Sequence, residues 1–362
     1  MPGPVVMNEA FESSADHQLE ASQIDQIADI TRELLKKRYP SPEQVLRGVH
    51  PKSHGCVRAT FEVLADVDSR LQVGLFSRPA TYEAMIRYSN ASAVVAHDLA
   101  NWESGSRGMA IKVLDVEGDV LVDDDGRACQ DFLMIHTPSF VFANVGDYLK
   151  LNQILLEDND SANRFFAPLF MAKQSPPTDP KALAELGRLK RSLDVLTQIK
   201  KVPVANPLEV SYFGAAPFLF GEDRCMRFSV VRSDAPKPQL APDNISKDYL
   251  RDALEATMAS NEDIVFDFKV QVRRADEADI HIEDATQSWP RTPEVTVARV
   301  TIPAPQTGLS TPEHRAECEE LSFSPWHALA DHQPLGSINR LRYAVYNASA
   351  AYRRSENEPK CE

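Results

Sequence analysis

Residues 263–275, DIVFDFKVQVRRA, alternate apolar and polar side chains over the length of a whole strand. Successive side chains of a strand point to opposite faces, so one face of this segment is apolar and the other is polar or charged. The apolar positions are Ile264, Phe266, Phe268, Val270 and Val272. This pattern is typical of a half-buried strand, and it predicts a core built on an antiparallel sheet.

Short β-rich segments occur in two groups along the chain, separated by turn or charged residues. The predicted strands fall in 57–67, 82–90, 108–118 and 130–140, and then in 207–221, 224–233, 263–275 and 294–303. Between the groups, a linker over 174–180 leads into a predicted helix over 181–201, with Pro180 where a helix would begin. This order predicts an α+β protein with a closed or nearly closed antiparallel β-barrel and peripheral helices.

The first part of the chain is predicted to hold a disordered segment and then a helix. Residues 1–20 lack a long apolar run, so we expect no secretory signal there. A helix follows, because the apolar residues up to Leu34 recur near helical spacing and Pro40 ends the run. The remainder, residues 21–362, is predicted to form a single domain with a C-terminal helix over 338–354.

The net charge of −14 narrows the classes of partner. It argues against a long nucleic-acid groove and against a general attraction to anionic membranes, but it leaves room for a local basic pocket. No segment of the sequence has the length and apolarity of a membrane span. Widely spaced cysteines without a C-x-x-C motif predict reduced thiols in the cytoplasm rather than a disulfide framework or a zinc site. The cysteines are Cys56, Cys129, Cys225, Cys318 and Cys361.

The segment INRLRYAVYNASAAYRR, residues 338–354, carries Arg342 four residues before Tyr346 and Arg353 seven residues after it. On an α-helix these three side chains form one stripe. Taken alone, the stripe fits a solvated basic helix with one tyrosine. It also fits an iron site, because a fixed cation stabilises a phenolate and tyrosine is an established ligand of haem iron.

The spacing R-x-x-x-Y, with a further arginine seven residues after the tyrosine, resembles the proximal helix of the catalase superfamily. The preceding segment LSFSPWHALADHQPLGSINR, residues 321–340, resembles the lead-in of small catalase-related haem proteins. The resemblance implies a catalase-like core that binds haem b, with Tyr346 as the iron ligand. It also implies that Arg342 balances the charge of the phenolate and that Arg353 contacts a haem propionate.

A second segment, RGVHPKSHG at residues 47–55, resembles the distal side of the catalase haem pocket. The resemblance implies that Arg47 contacts a propionate, that Val49 narrows the channel and that His50 is the distal base. His54, four residues further on, is a rival for the base. Its more ordinary interpretation is a surface or supporting histidine.

Two predicted strands also resemble catalase strands. Residues 84–92, AMIRYSNAS, imply that Arg87 is a third propionate arginine and that Ser89 supports His50. Three arginines suit two propionates, because buried anions need several donors. In the second strand, which resembles the family over residues 106–119, Arg107 is expected to be structural.

One position departs from the family pattern. Hydrogen-peroxide catalases carry Asn-Thr-Pro, whereas this chain has His-Thr-Pro at residues 136–138. An imidazole still donates a hydrogen bond, so His136 is a second candidate catalytic residue, although its reach differs and it can titrate. Downstream of it, Phe140 and Tyr148 are expected to line the pocket.

The resemblance is strongest over residues 45–150 and 320–354. It implies a haem-dependent oxidoreductase, a peroxidase or weak catalase, that cleaves the O–O bond of hydrogen peroxide or of organic hydroperoxides. The expected partners are a small-molecule peroxide or hydroperoxide and a second copy of the chain in a homodimer, with no nucleic acid.

Two other functional classes stay open. The first is a fatty-acid hydroperoxide isomerase or dehydratase of the allene oxide synthase type, in which Thr precedes the distal histidine. Val49 favours the catalase side, whereas His136 and the apolar segment 217–221 favour the isomerase. The second is a non-enzymatic haem- or lipid-binding module, against which the retention of both His50 and Tyr346 argues.

Overall fold

The computed structural model of the chain describes residues 7–12, 17–40, 44–93, 95–98, 105–239, 246–277, 279–289 and 292–357. The helices in these residues are α1 (His17–Arg38), α2 (Val145–Glu157), α3 (Ala167–Gln174), α4 (Pro180–Lys201), α5 (Tyr249–Met258), α6 (Pro312–Glu320) and α7 (Ser337–Asn357). The strands are β1 (Ser53–Val63), β2 (Ala80–Asn90), β3 (Arg107–Leu114), β4 (Cys129–Ile135), β5 (Tyr212–Phe213), β6 (Phe218–Leu219), β7 (Arg224–Arg232), β8 (Ile264–Arg274) and β9 (Val295–Ile302).

The strands pair antiparallel in one sheet with the order β5-β4-β3-β2-β1-β9-β8-β7-β6. The short strand β5 pairs with both β4 and β7, so the sheet closes on itself as an eight-stranded barrel. Strand β6 pairs with β7 at the rim. Closure removes the unpaired edges that an open sheet would leave. The predicted α+β class, with an antiparallel barrel, peripheral helices and a C-terminal helix, is confirmed.

Aromatic side chains fill the barrel. Phe268 of β8 lies at the centre, and its ring centroid is 4.6 Å from that of Phe132 and 5.3 Å from that of Phe61. Such pairs contribute about 0.5–1.5 kcal/mol each beyond the burial of their area. The alternation in residues 263–275 therefore serves to direct large rings inwards. Because these rings pack the interior, a ligand site has to lie outside the barrel wall.

Helices α1, α2 and α7 form a layer beside the barrel. Their apolar stripes meet in one buried cluster, as expected for amphipathic helices that pack on a core. The cluster consists of Ile27, Val145, Leu149, Ala285, Ile338, Leu341 and Val345. Within the described residues, none of the helices combines the length and the apolarity required to cross a bilayer.

The N-terminal part of the described chain is held against α7 by charge. Arg340 of α7 is 3% exposed and forms ion pairs with three carboxylates. They belong to Glu12, Glu20 and Glu283. Residues 1–6 and 13–16 of the segment predicted to be disordered lie outside the described residues. The remainder of that segment differs from the prediction, because Glu12 is buried and α1 begins at His17.

Several elements were not anticipated from the sequence. The linker over 174–180 matches the end of α3 and the start of α4, and the Asp179 side chain accepts a hydrogen bond from the first turn of α4. Helices α2, α3, α5 and α6, however, had no counterpart among the predicted elements. The segment 207–221, predicted as strand, contributes only the two short strands β5 and β6.

One covalent link contradicts the sequence-based prediction. Cys56 of β1 and Cys318 of α6 form a disulfide, with Cα atoms 5.7 Å apart. The prediction of reduced thiols is therefore wrong for this pair, whereas Cys129 and Cys225 are free and buried. The two bonded cysteines are 262 residues apart, and only the packing of α6 on β1 brings them together, which cysteine spacing cannot reveal. Cys361 lies outside the described residues.

Candidate active site

A cavity of about 370 Å³ lies between the outer face of strands β2, β3 and β4 and the helices α1, α2 and α7. Strand alternation creates its barrel-side wall: Ile86 and Tyr88 of β2 are directed into the core, whereas Arg87 and Ser89 are directed to the cavity. A volume of this size is typical of small-molecule sites in proteins.

The cavity collects most of the residues that the sequence singled out. They come from the turn before β1, from β2, from the segment after β4 and from α7, and they share one enclosed space only in the folded chain. The predicted site residues that line it are Arg47, Val49, His50, Arg87, Ser89, Phe140, Arg342, Tyr346 and Arg353. Tyr148 of α2, also expected in the pocket, lines it as well.

His50 is held in an unusual backbone conformation by its neighbours. Its φ of 56° lies in the left-handed region, which few residues other than glycine adopt. The Nδ1 atom lies 2.9 Å from Ser89 Oγ, and the His50 carbonyl accepts a hydrogen bond of 3.0 Å from Arg87 Nη2. With Nδ1 engaged by Ser89, Nε2 is the ring nitrogen available to a ligand.

Gly108 of β3 supplies a contact that sequence reasoning missed. A Cβ atom at this position would lie 2.5 Å from Nδ1 of His50 and 2.9 Å from Ser89 Oγ. Only glycine therefore leaves room for the imidazole against the strand. The sequence signal for this contact was the Arg-Gly pair at the start of β3, in which only Arg107 had been given an expected role.

Burial lowers the pKa of His50 to about 3. That value includes smaller contributions from three nearby guanidinium groups, those of Arg87, Arg342 and Arg47, which also lower the pKa. The imidazole is therefore neutral at neutral pH, which leaves it free to accept a proton. A ligand that offsets the positive charge of these arginines would raise the pKa of His50.

His54, the rival for the base, is not among the described residues that line the cavity. It is 1% exposed, and its Nε2 lies 3.0 Å from Asn90 Oδ1. The same Asn90 oxygen accepts a 2.6 Å hydrogen bond from Arg107, which agrees with the structural role expected for that arginine. Burial lowers the pKa of His54 to about 4.

His136 is likewise not brought to the cavity. Its Nδ1 accepts a 2.8 Å hydrogen bond from the backbone N–H of Arg107, and its Nε2 lies 3.4 Å from the carbonyl of Ile199 at the end of α4. Burial lowers the pKa of His136 to about 4. Both ring nitrogens are therefore used to join β3 to α4, so the structure does not support the catalytic role expected for His136.

Three arginines meet at one end of the cavity, around a single carboxylate. Arg47, Arg87 and Arg353 all form ion pairs with Glu319 of α6, at 3.1 Å for Arg87 Nη2 and 3.9 Å for Arg353 Nη1. Backbone carbonyls complete the set: Arg47 donates to Leu321 O at 2.6 Å and Arg353 donates to Glu319 O at 3.1 Å. We refer to these four side chains as the arginine end.

In the arginine end, buried positive charges lie close together and repel one another. Burial, together with the smaller effect of the charge of Arg353, lowers the pKa of Arg87 to about 9. Burial also lowers the pKa of Arg47 well below its ordinary value, with Arg87 and Arg353 adding to the effect. One carboxylate faces three guanidinium groups, so among the described residues of this cluster there is a surplus of two positive charges. The arginine end is suited to a ligand with two anionic groups.

The other end of the cavity, the tyrosine end, is formed by Arg342 and Tyr346. The Arg342 guanidinium lies 5.5 Å from the centroid of the Tyr346 ring, within the distance of a cation–π contact, and donates to Asn339 Oδ1 at 3.1 Å. Tyr148 of α2 approaches from the opposite wall; burial raises its pKa, and a charge on Tyr346 would raise it further. The phenol oxygen of Tyr346 is a ligand suited to a ferric ion.

Apolar side chains form the wall between the two ends. Phe140 contacts Phe142 with ring centroids 5.9 Å apart, and Phe142 contacts Tyr148 at 5.4 Å. Leu151 and Leu155 continue this wall along α2. An apolar wall with anion-binding groups at one end and an oxygen ligand at the other can hold a large, mostly apolar cofactor. His50 adds a base with a free nitrogen.

No protein-family model matches the chain. One curated protein, named catalase-related peroxidase, from Mycolicibacterium paratuberculosis, is 26% identical over 322 residues. The alignment covers 85% of this chain and 88% of that relative. The similarity therefore extends over nearly the whole length of both proteins.

Solved catalases share the fold. A bacterial catalase is 15% identical with a TM-score of 0.63, over 87% of this chain. A fungal catalase is 16% identical with a TM-score of 0.63, and catalase A from Saccharomyces cerevisiae is 17% identical with a TM-score of 0.64, each over 88% of this chain. The chain spans only 58 to 62% of the length of these three proteins.

Proposed function

We propose that this chain, which is similar in sequence to a catalase-related peroxidase and shares its fold with catalases, is a haem-dependent enzyme that cleaves the O–O bond of hydrogen peroxide or of an organic hydroperoxide. One observation carries the proposal. A neutral histidine, a tyrosine oxygen and three arginines, which lie far apart in the sequence, line one cavity. A peroxidase needs these three kinds of group together, whereas a packed core does not.

The residues present fit haem b on their own chemistry. Haem carries two carboxylates, and the arginine end has a surplus of two positive charges in the described residues. Arg87 Nε is buried and has no hydrogen-bond partner within the described chain, which leaves a donor available for such a carboxylate. Tyr346 offers a phenol oxygen as a ligand for the iron. Among the described residues, no cluster of three or more His, Cys, Asp or Glu side chains offers another metal site.

Each group in the cavity then has a role. Arg47, Arg87 and Arg353 would hold the two propionates, and Tyr346 would ligate the iron with Arg342 over its ring. When bound, a ferric haem supplies the redox centre at which a peroxide O–O bond breaks heterolytically. The protein contributes the orientation of the substrate and the movement of its proton.

His50 moves that proton. The contact between Nδ1 and Ser89 Oγ holds the ring orientation, and the proposed role uses the tautomer in which Nδ1–H donates to Ser89 Oγ and Nε2 accepts. Nε2 takes the proton from one peroxide oxygen and returns it to the leaving oxygen. Gly108 lets the ring lie against β3, and Val49 narrows the approach to it.

The isomerase remains the second candidate. The apolar wall of Phe142, Leu151 and Leu155 is consistent with a substrate that has a hydrocarbon tail. The segment 217–221 gives it no further support, because Phe218 and Phe220 lie in the barrel core rather than at the cavity.

The test is reconstitution of the purified protein with haemin, followed by turnover of hydrogen peroxide, a small organic hydroperoxide and a fatty-acid hydroperoxide. We expect a Soret band at one haem per chain and faster peroxide reduction than for free haemin.

An allene oxide or its hydrolysis product from the fatty-acid hydroperoxide would favour the isomerase. A bound haem without turnover of any of the three would favour the binding module, and a protein that takes up no haemin would refute the proposal. A homodimer and a cytoplasmic location remain predictions. Light scattering tests the homodimer.

A further inference from the structure

Glu319 occupies a position that the family resemblance does not explain. It is the carboxylate around which Arg47, Arg87 and Arg353 converge. Its side chain is 20% exposed, while the side chain of Arg87 is only 4% exposed. A carboxylate therefore already lies where the proposed function requires the carboxylates of haem.

The helix that carries Glu319 does not favour a negative charge there. Glu319 is the penultimate residue of α6, and the carbonyl groups at the C-terminus of a helix disfavour anions. The arginines must therefore supply the attraction that keeps this carboxylate in place. A ligand with two carboxylates competes for the same guanidinium groups.

Two anchors fix α6 against β1. The first is the disulfide between Cys56 and Cys318, directly before Glu319 in the sequence. The second is His314, whose Nε2 lies 2.8 Å from the carbonyl of Cys56. The covalent anchor restricts the distance that Glu319 can move away from the arginine end.

We propose that Glu319 is an internal counter-ion that stands in for a carboxylate of the cofactor, and that the Cys56–Cys318 disulfide holds it in that position. This inference rests on the proposed function, because the competing ligand is a porphyrin dicarboxylate. In the cofactor-free protein Glu319 limits the repulsion among three buried cations. When the cofactor binds, the same carboxylate opposes it. Glu319 therefore stabilises the cofactor-free fold and weakens cofactor binding.

The first experiment measures binding of iron-free protoporphyrin IX by fluorescence, so that iron ligation plays no part. The variant Glu319→Gln keeps the shape of the side chain and removes its charge. We expect it to bind protoporphyrin IX about tenfold more tightly than wild type, because one opposing charge is removed. Binding of protoporphyrin IX dimethyl ester, which lacks the carboxylate charges, should not change. Glu320→Gln is the matched control, since Glu320 is the exposed neighbour on α6 and carries the same charge.

The second experiment measures thermal unfolding of the cofactor-free protein. Glu319→Gln leaves three guanidinium groups that pair with no other carboxylate of the described residues, and loss of one partner of a buried ion pair is strongly destabilising. We expect its Tm to fall by more than about 5 °C, while Glu320→Gln stays close to wild type. The stabilisation that protoporphyrin IX provides, measured as the rise in Tm on its addition, should be larger in Glu319→Gln than in wild type.

The disulfide is tested in the double variant Cys56→Ser/Cys318→Ser, which leaves no lone thiol at the site. If the disulfide holds Glu319 in place, this variant also binds protoporphyrin IX more tightly than wild type, although it is less stable. Adding Glu319→Gln should then have a smaller effect than it has in the disulfide-bonded protein. This variant also keeps the proposal testable if Glu319→Gln alone fails to fold.

Weaker or unchanged porphyrin binding in Glu319→Gln would overturn the inference, as would an equal change for the dimethyl ester. Full additivity of Glu319→Gln and the disulfide variant would overturn the role of the disulfide. Failure of the proposed function gives a different result: wild type would then take up neither haemin nor protoporphyrin IX. If wild type binds haemin and turns over peroxide but Glu319→Gln binds porphyrin no better, only the further inference fails.

Discussion

The two ends of the cavity are assembled in different ways. At the tyrosine end, Arg342 and Tyr346 belong to one helix, and their contact follows from the four-residue spacing alone. At the arginine end, Arg47, Arg87 and Arg353 come from three parts of the chain and meet on a residue of a fourth, Glu319. Local geometry is therefore sufficient to make the first end, whereas the second exists only when barrel and helices are packed together.

The two ends also differ in charge. The single cation of the tyrosine end lies on the face of an aromatic ring, which needs no anionic ligand. The arginine end has more cations than carboxylates in the described residues, and burial opposes their charge. We infer that the arginine end provides affinity for the carboxylates of the cofactor, whereas the tyrosine end provides affinity for its iron. Separate probes can test this division, because haemin engages both ends and iron-free protoporphyrin IX engages only one.

The largest effect is expected for His50, which lies three residues after Arg47 and acts through its neutral ring rather than through a charge. His50→Ala should lower peroxide turnover per bound haem about 10²–10⁴-fold, the usual contribution of general acid–base catalysis. Affinity for haemin and for protoporphyrin IX should stay near wild type. Stopped-flow kinetics and binding titrations on the same preparations measure the two quantities.

His54→Ala is the matched control for this prediction. His54 is buried in the contact with Asn90, so its loss should lower the stability of the fold and leave the rate per bound haem nearly unchanged. A larger loss of rate in His54→Ala than in His50→Ala would assign the base to His54. It would also mean that the cavity described here is not where peroxide reacts.

The next effect concerns the tyrosine end alone. Tyr346→Phe removes the only ligand proposed for the iron and keeps the ring under Arg342. Haemin should bind more than about 100-fold more weakly, and the charge-transfer features of tyrosinate ligation should be lost. Loss of a metal ligand lowers affinity more than loss of a group that supports the ligand. Protoporphyrin IX should bind as it does to wild type.

Tyr343→Phe controls for the loss of a hydroxyl from the same helix. The ring of Tyr343 packs on Trp326 with centroids 5.2 Å apart, and the substitution retains this contact. Both probes should bind this variant normally. An unchanged haemin spectrum in Tyr346→Phe would show that another residue holds the iron, and Arg342 and Tyr346 would then be a plain stacked pair.

A smaller effect, on both probes, is expected at the arginine end. Arg87→Gln removes one buried guanidinium and its hydrogen bonds, which should weaken haemin and protoporphyrin IX binding by a similar factor of about ten. Arg58→Gln, an exposed arginine of β1, is the control. Loss of haemin binding alone, with protoporphyrin IX unaffected, would contradict the division between the two ends.

Much of the fold was predictable because its signals are local. The alternation in residues 263–275 indicates a half-buried strand, and the stripe on α7 follows from helical periodicity. The helices α2, α3, α5 and α6 were missed. Helix α6 shows why: Cys318 is its buried residue, and apart from Pro312 and Ala316 the remaining positions of PEHRAECEE are polar, so it has no apolar stripe to detect. It is held by the disulfide and His314 rather than by an apolar face.

The candidate site was predictable to the extent that a motif placed each residue. His50, Arg87 and Tyr346 lie in such motifs and line the cavity. His136 also lies in a motif, but its ring is directed to the Arg107 N–H and the carbonyl of Ile199. A sequence motif does not show in which direction a side chain points. Glu319 lies in no motif, because its role depends on three arginines that reach it from distant parts of the chain.

The smallest predicted effect is the acid sensitivity of the cofactor-free protein, which measures how strongly the arginine end acts on His50. The pKa of His50 is about 3 in the folded chain and near 6.5 in an unfolded one. Below the unfolded value the unfolded chain binds a proton that the folded chain does not, so the free energy of unfolding falls as the pH falls. His50→Gln removes this group from both states. Urea unfolding should therefore show that wild type loses about 1 kcal/mol more than His50→Gln between pH 7.5 and 6. The other buried histidines with lowered pKa values are present in both proteins and cancel in the comparison.

Repeating the measurement with protoporphyrin IX bound shows whether the arginine end contributes to the lowered pKa of His50. Its carboxylates offset the charges of Arg87 and Arg47, which raises the pKa of His50 and should shrink the difference between the two proteins. An equal difference with and without the porphyrin would mean that burial alone sets the pKa of His50 and that the arginine end does not act on the base.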